Sequence, residues 1–505
     1  MVLVWATHVV VLVFAARCGE VVLETNLSII ARSTLLNNFQ REMDSDTVAF
    51  FLGAGMSRPA GFVSWKELMR EIADELDLDI NKETDLIALA QFHKNQRRNR
   101  HKINQLLVTE FTKAATLTEN HRLIASLPVS TIWTTNYDQL LEEAYREAHK
   151  QVDVKRREPD LATTKARAAV TIYKMHGDAD VPDEAVLTKD DYAAFETKRN
   201  LFSVQFRGHL VSKSFLFLGY SFSDPNIDYI LARIRAALHD NKREHYCVMR
   251  KVAKEGDMTD ADVDYQQRLL NLRIEDLQNY GIQTFLIDTY SEITDLLAEL
   301  KRRAVRKNIF VSGSAHDFDP LGKDRMEAFA RLLGAKMIER NYNLISGIGL
   351  GIGGAVTIGA LEAIYATPAS QLEERIVLRP FPQVAPASGS LSDIWERYRQ
   401  DMISKAGFAI FLSGNKPNGS GIVIADGVIR EFDIAVARGV YPIPVGATGH
   451  AAKELSTRVL GDVKKYFADH AAKVEAPLRI LADDSAGETA WIEAIFNIIK
   501  TIAPK

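Results

Sequence analysis

At 505 residues the chain exceeds what a single hydrophobic core serves, so two or three domains are expected. A composition of 47% hydrophobic and 25% charged residues is that of a globular protein, and a formal net charge of -4 supplies no basic face for nucleic acid. The two cysteines, Cys18 and Cys247, form no CxxC pair, which argues against a disulfide scaffold and a cysteine-held zinc; no metal site is expected.

The apolar run at residues 2–16 is broken only by Thr7 and His8 and is shorter than the roughly 20 residues that span a bilayer as a helix. It has no basic start and no good small-residue cleavage site. An anchor, a secretory signal and a tail created by a start codon assigned too far upstream all stay open. The tail is favoured, so residues 1–28 are read as an extension outside the fold and a membrane role is not expected. Helical spacing begins near Ile29 with Leu35, Leu36, Phe39 and Met43, then leads into a strand at 47–52. Residues 65–76 and 86–92 carry apolar residues at helical spacing. The basic stretch Lys94, Arg97, Arg98, Arg100, Lys102 reads as a solvated helical surface rather than a nucleic-acid site. Strands are expected at 131–134, 170–174, 214–218 and 246–249. Their alternation with helices implies a parallel sheet covered on both faces. A helix over 292–306 turns basic toward its end, where cations oppose the dipole. The boundary falls there, giving a first domain over 29–300 and a second over 305–505. With no Pro/Ser-rich linker, the halves are expected to pack closely.

Four segments of the first half carry ligand-type residues just beyond a strand. In the first, Gly53-Ala54-Gly55-Met56-Ser57, small residues let backbone N–H groups approach a phosphate and Ser57 could cap a helix. A glycine turn in this place is as readily structural. Asn136 and Asp138, in Thr134-Thr135-Asn136-Tyr137-Asp138, sit where a strand yields to a helix, and helix capping is their bland alternative. His176, in Met175-His176-Gly177-Asp178, can reach into a cleft, although a lone histidine is usually structural. In Gly219-Tyr220-Ser221-Phe222-Ser223-Asp224-Pro225, Pro225 suits the first turn of a helix running to Leu238. Together the four imply one crevice.

Their order, GAG-x-S, T-x-N-Y-D, HGD and G-x-S-x-x-D-P, resembles the SIR2 family in its bacterial, non-deacetylase branch, over residues 29–300. The resemblance implies NAD in a Rossmann-like crevice. Gly53, Ala54, Gly55 and Ser57 would line phosphates and ribose, with Gly219, Ser221 and Asp224 of the fourth motif also at the cofactor. Asn136 and Asp138 would lie at the nicotinamide ribose, and His176 would act as base on that ribose or on water. Cleaving the glycosidic bond of NAD develops oxocarbenium character, which calls for polar groups at the ribose and a base near neutral pKa. The four zinc cysteines of deacetylase sirtuins are missing, and Ala60-Gly61-Phe62-Val63-Ser64-Trp65 replaces the usual Gly-Ile-Pro-Asp-Phe-Arg. Water is then the simplest acceptor, giving nicotinamide and ADP-ribose. A protein deacylase or ADP-ribosyltransferase is the enzymatic alternative; a nucleotide-sensing scaffold is the non-enzymatic one.

The second half opens with a strand at 308–311 running into Ser312-Gly313-Ser314, followed by an amphipathic helix with Met326, Phe329, Leu332, Leu333 and Met337. A strand at 342–345 meets Ser346-Gly347-Ile348-Gly349-Leu350-Gly351-Ile352-Gly353-Gly354 before a helix over 355–365. So many glycines imply backbone pressed against a nucleotide, or close helix–sheet packing. A strand at 408–412 leads to Ser413-Gly414-Asn415-Lys416 and on to Gly427 and Glu431. This order resembles the SLOG superfamily, in which a glycine-rich turn and a helical glutamate handle ribose and phosphate. The usual PGG-x-GT wording is absent, which favours sensing over hydrolysis. Arg379, Arg397, Arg399 and Lys416 are candidates to pair with phosphates; Gly313, Ser314, Gly347, Gly427 and Glu431 complete the expected signal site.

The expected fold class is α/β: a SIR2-like Rossmann-type domain with helical insertions, then a SLOG-type Rossmann-like domain. That combination resembles the SIR2–SLOG effectors of the Thoeris anti-phage system. It implies a cytoplasmic NAD hydrolase, commonly a homotetramer, that needs no cofactor beyond NAD as substrate. Its activator would be a cyclic ADP-ribose isomer made by a partner TIR-domain protein.

Overall fold

The computed structural model describes residues 29–222, 224–238, 243–366, 375–384, 390–419 and 421–503. The apolar run at 2–16, and with it the expected tail, lies outside the described residues. Chain order begins with helix Arg32–Asp44, which buries Leu35, Leu36, Phe39 and Met43 as its spacing predicts. The first sheet has seven parallel strands: β1 (Val48–Leu52), β2 (Thr131–Thr134), β3 (Val152–Lys155), β4 (Val170–Lys174), β5 (Ser214–Leu218), β6 (His245–Arg250) and β7 (Ile282–Ile287). Their spatial order is β3-β4-β2-β1-β5-β6-β7. Successive side chains of β1 alternate between two cores, with Phe50 and Leu52 on one face and Ala49 and Phe51 on the other. Both faces are covered by helices, which is why β1 and β5 read as unbroken apolar runs.

Where the chain reverses direction of growth beside β1, the C-terminal ends of its neighbours splay and leave a crevice. The four motifs follow β1, β2, β4 and β5, which are adjacent in the sheet in the order β4-β2-β1-β5. They therefore share one edge.

The basic stretch at 94–102 is not a free solvated face. Lys94 pairs with Asp190 at 2.7 Å, Arg97 with Glu75 at 3.1 Å and Lys102 with Glu71 at 2.8 Å. Arg100 is mostly buried, pairs with Asp191 at 3.2 Å and donates to the carbonyls of Pro182 and Ala185. Residues 65–76 form two short helices, Trp65–Leu68 and Arg70–Glu75, rather than one.

Helix Ser291–Ala304 buries Ile293, Leu296, Leu297 and Leu300 in the first core. The second sheet follows: β8 (Asn308–Ser314), β9 (Asn343–Ser346), β10 (Ile376–Leu378), β11 (Phe408–Ser413) and β14 (Tyr441–Pro444), with a separate antiparallel hairpin of β12 (Asn415–Asn418) and β13 (Gly421–Ile424). The order β10-β9-β8-β11-β14 is parallel throughout, the doubly wound arrangement that opens a crevice between β8 and β11. β8 is longer than expected and takes in Ser312-Gly313-Ser314. Close packing explains part of the glycine-rich run. A Cβ on Gly349 would lie 1.9 Å from the Gly313 carbonyl oxygen, and one on Gly351 would lie 2.3 Å from that of Ala315. The halves touch where Lys307, just past the boundary, pairs with Asp44 of the first domain at 2.6 Å.

Candidate functional site

The first and fourth turns of the first domain interlock. A Cβ on Gly53 would lie 2.5 Å from the Gly219 carbonyl oxygen, and one on Gly219, which has φ +63°, would lie 2.6 Å from the Met56 nitrogen. The amide of Gly53 donates to Leu218 O and that of Gly55 to Gly219 O. These two N–H groups hold the turns together and are not turned to a phosphate. Ala54 and Gly55 are exposed, whereas Gly53 and Ser57 are buried.

Ser57 links the first turn to the second. Its hydroxyl donates to Asp138 Oδ2 at 2.7 Å and accepts from Asn136 Nδ2 at 2.8 Å. Asn136 Nδ2 also reaches Gly53 O at 3.1 Å, while Asn136 Oδ1 is buried with no hydrogen-bond partner. Asp138 Oδ1 accepts from the Leu140 amide at 3.0 Å just before helix Leu140–Glu147, whose N-cap is Gln139, so Asp138 braces the entry to the helix without capping it.

His176 is buried just beyond β4, followed by Gly177 at φ +92°. Its Nε2 lies 3.0 Å from Asp224 Oδ2. This is ion-pair distance, and among the described residues Nε2 has no other polar partner. Burial works against the charge of Asp224, but the His176 ring and the amides of Ile227 and Asn226 hold its carboxyl below the usual range. An unsatisfied buried amide oxygen and a buried imidazole at the ends of neighbouring strands mark a place built for a ligand's polar groups.

Beneath this edge lies a buried ion network that motif reading missed. Lys174 pairs with Asp178 at 2.6 Å and Glu142 at 3.3 Å, and donates to the Asp138 carbonyl. Arg156 adds a second cation at 2.9 Å from Asp178. Burial opposes the charges of Lys174 and Asp178, yet their mutual attraction wins: the lysine pKa is raised and the Asp178 pKa lowered. Burial pushes Glu142 up instead. His121 was also missed. It is buried with Nδ1 at 2.7 Å from Thr118 Oγ1, and burial lowers its pKa against the pull of Asp138. No motif surrounds His121 that could have revealed it.

A cavity of about 1310 Å³ adjoins the interlocked turns. Gly55, Gly219, Tyr220 and Ser221 line it, together with Arg250, Arg273 and Tyr290; Asn136, His176, Gly53, Ala54, Ser57, Asp138 and Asp224 are not on its wall.

The second domain holds a cavity of about 820 Å³ at the β8/β11 crevice. Gly313, Ser314, Gly347, Arg399, Lys416, Gly427 and Glu431 line it, as expected. Arg379 does not; it is tied to Asp401. Arg397 is exposed and off the wall. Glu431 accepts from Ser312 Oγ at 2.5 Å and faces Arg399 Nε at 3.4 Å, and burial raises its pKa. The Arg399 guanidinium lies 5.2 Å from the centre of the Phe381 ring, and its buried Nε has no hydrogen-bond partner. Phe381 and Trp395 on the wall were not foreseen, because aromatic residues in sequence look like core.

Among the described residues, no helix is long and apolar enough to cross a membrane. The SIR2-like domain family matches residues 130–276, and the Sir2- and TIR-associating SLOG family matches residues 292–502. The NAD(+) hydrolase ThsA of Bacillus cereus is 40% identical over 465 residues, covering 92% of this chain and 96% of that protein. The chain belongs to the ThsA family of NAD(+) hydrolases. ThsA of Cytobacillus dafuensis is 40% identical over 491 residues, with 96% of this chain and 99% of that protein covered. ThsA of Acinetobacter baumannii is 39% identical over 474 residues, with 93% and 98% covered. The SIR2-like match begins at β2, after the first glycine turn. The sheet nonetheless sets β1 between β2 and β5, so that turn belongs to the same crevice in this ThsA-family chain.

Proposed function

We propose that the chain cleaves NAD+ to nicotinamide and ADP-ribose at the β4-β2-β1-β5 edge, with Asn136 and His176 at the reacting ribose. The water oxygen bonds to the ribose carbon as the carbon–nitrogen bond breaks. The electron pair of that bond leaves with nicotinamide, and the water proton passes to His176 and then to solvent. Asn136 and Asp138 orient the ribose hydroxyls, and Gly55, Gly219 and Ser221 border the room for the rest of the dinucleotide. The observation that carries this reading is the buried, unsatisfied Asn136 Oδ1 at the end of β2, beside the strand whose end bears the buried His176, in a chain of this family.

The second cavity is the sensing site. A cyclic ADP-ribose isomer from a TIR-domain partner binds there, with Arg399 and Lys416 on its phosphates, and shifts a homotetramer toward the active arrangement. In infected cells this depletes cytoplasmic NAD. Arg399 Nε, without a hydrogen-bond partner and 3.4 Å from Glu431, supports an anionic, hydroxyl-bearing ligand. The decisive assay incubates purified protein with NAD+, with and without cyclic ADP-ribose isomers, and measures nicotinamide and ADP-ribose. Signal-dependent release of both is expected, with a loss of about 100-fold or more in His176→Ala and Asn136→Ala. Absence of nicotinamide under every condition would defeat the reading.

A further inference from the structure

We propose that Asp224, itself held by Tyr192, is the positioning residue of His176: it fixes the ring through Nε2 and leaves Nδ1 as the nitrogen that takes the proton. The proposal rests on His176 being the base of the reaction above. Both oxygens of Asp224 are engaged by the protein. Oδ1 accepts from the amides of Asn226 at 2.9 Å and Ile227 at 3.1 Å, where helix Pro225–Leu238 begins. Oδ2 accepts from the Tyr192 hydroxyl at 3.2 Å and lies 3.0 Å from His176 Nε2. Oδ1 thus serves the start of the helix, and Oδ2 is the oxygen turned to the ring.

The ring is clamped on its other sides. Tyr192 meets it edge-on with centroids 5.7 Å apart, Phe195 does so at 6.4 Å, and the Val186 amide donates to the His176 carbonyl at 2.9 Å. The remaining polar groups nearby do not compete for it. Tyr137 and Tyr220 are phenols that burial pushes up, so they stay neutral. Arg199 spends its N–H groups on the carbonyls of Arg156, Lys174 and Glu184, and Lys174 and Asp178 neutralise each other. Among the described residues, Asp224 is the carboxylate that contacts the ring. A carboxylate at this distance holds the proton of the neutral imidazole on the nitrogen facing it and favours the imidazolium that forms on proton uptake.

The test compares the full chain with Asp224→Asn, which preserves shape and helix capping, and with Tyr192→Phe. Histidine-¹⁵N spectra without NAD and pH profiles of nicotinamide release serve as separate readouts. In the unaltered chain the spectra are expected to show the neutral His176 proton on Nε2. In Asp224→Asn that tautomer preference should be lost, with the neutral proton divided between Nδ1 and Nε2. kcat should fall about 10- to 100-fold with KM for NAD+ within about threefold, and Tyr192→Phe should change both in the same direction by less. A raised KM with the His176 tautomer unmoved would make Asp224 a cofactor contact and overturn the proposal. A lower melting temperature with neither readout moved would reduce Asp224 to a helix cap and overturn it equally. Should no protein release nicotinamide, the hydrolase reading fails, while the ¹⁵N tautomer signature still decides the role of Asp224.

Discussion

Ser57 bonds to two other residues of the crevice at once, so its hydroxyl is a sensitive point. Ser57→Ala strands Asp138 Oδ2 and leaves Asn136 Nδ2 with the Gly53 carbonyl as its one remaining partner. The expected cost is about 1–3 kcal/mol in urea unfolding, with a fall in nicotinamide release larger than the stability loss explains. Acid dependence separates two buried carboxyls. Asp178 has a pKa lowered from 3.8, so its folded form binds fewer protons than its unfolded one. Its stabilisation is complete above that ordinary value and is lost as pH falls through the lowered one. Glu431 has a pKa raised from 4.5 by burial, so its charged form costs stability at neutral pH and that cost disappears on acidification toward 4.5. The melting temperature of Glu431→Gln relative to the unaltered chain should therefore be highest near pH 7 and decline toward pH 4.5. At this scale the placement of Asn136 and His176 at strand ends was legible because each follows an apolar strand. Tyr192, His121 and Phe381 were not, because nothing in their sequence surroundings separates a site residue from a core one. Arg379 was misplaced because spacing cannot reveal that Asp401 holds it.

At the level of elements, the strands that escaped sequence reading break the usual pattern for identifiable reasons. In β3 the inward positions are Asp153 and Lys155, paired at 2.8 Å, so the apolar alternation is inverted. β14 contains Pro442 and Pro444, which a sheet tolerates at its edge, and β14 is an edge strand. The four turns were readable because strand, small residue and polar residue follow one another in each. The network under β4 supplies an element-scale prediction. Lys174→Met leaves Asp178 and Glu142 buried without their shared cation, and should cost about 3–5 kcal/mol by chemical unfolding.

For the whole molecule, the testable property is the coupling between two cavities in separate domains. Arg399→Ala should leave basal NAD cleavage unchanged and raise the signal concentration for half-activation at least tenfold, read from nicotinamide release. Linkage demands reciprocity: a non-hydrolysable NAD analogue must tighten signal binding by the factor by which the signal tightens analogue binding, and calorimetry in both orders checks it. The two-domain plan was visible from two strand–glycine openings far apart in sequence. The covering hairpin of β12 and β13 was not, since its short strands lie outside either sheet.

The contact between Gly53, Gly55 and Gly219 bears on how this enzyme can be altered. Residues more than 160 positions apart meet where no side chain fits, so neither turn can accept a bulkier substitute while the other stays as it is. A chimera that imports the first turn of a relative must import the fourth with it. The heritable unit of this crevice is a matched pair of loops, and a graft of either alone should yield misfolded protein rather than altered specificity.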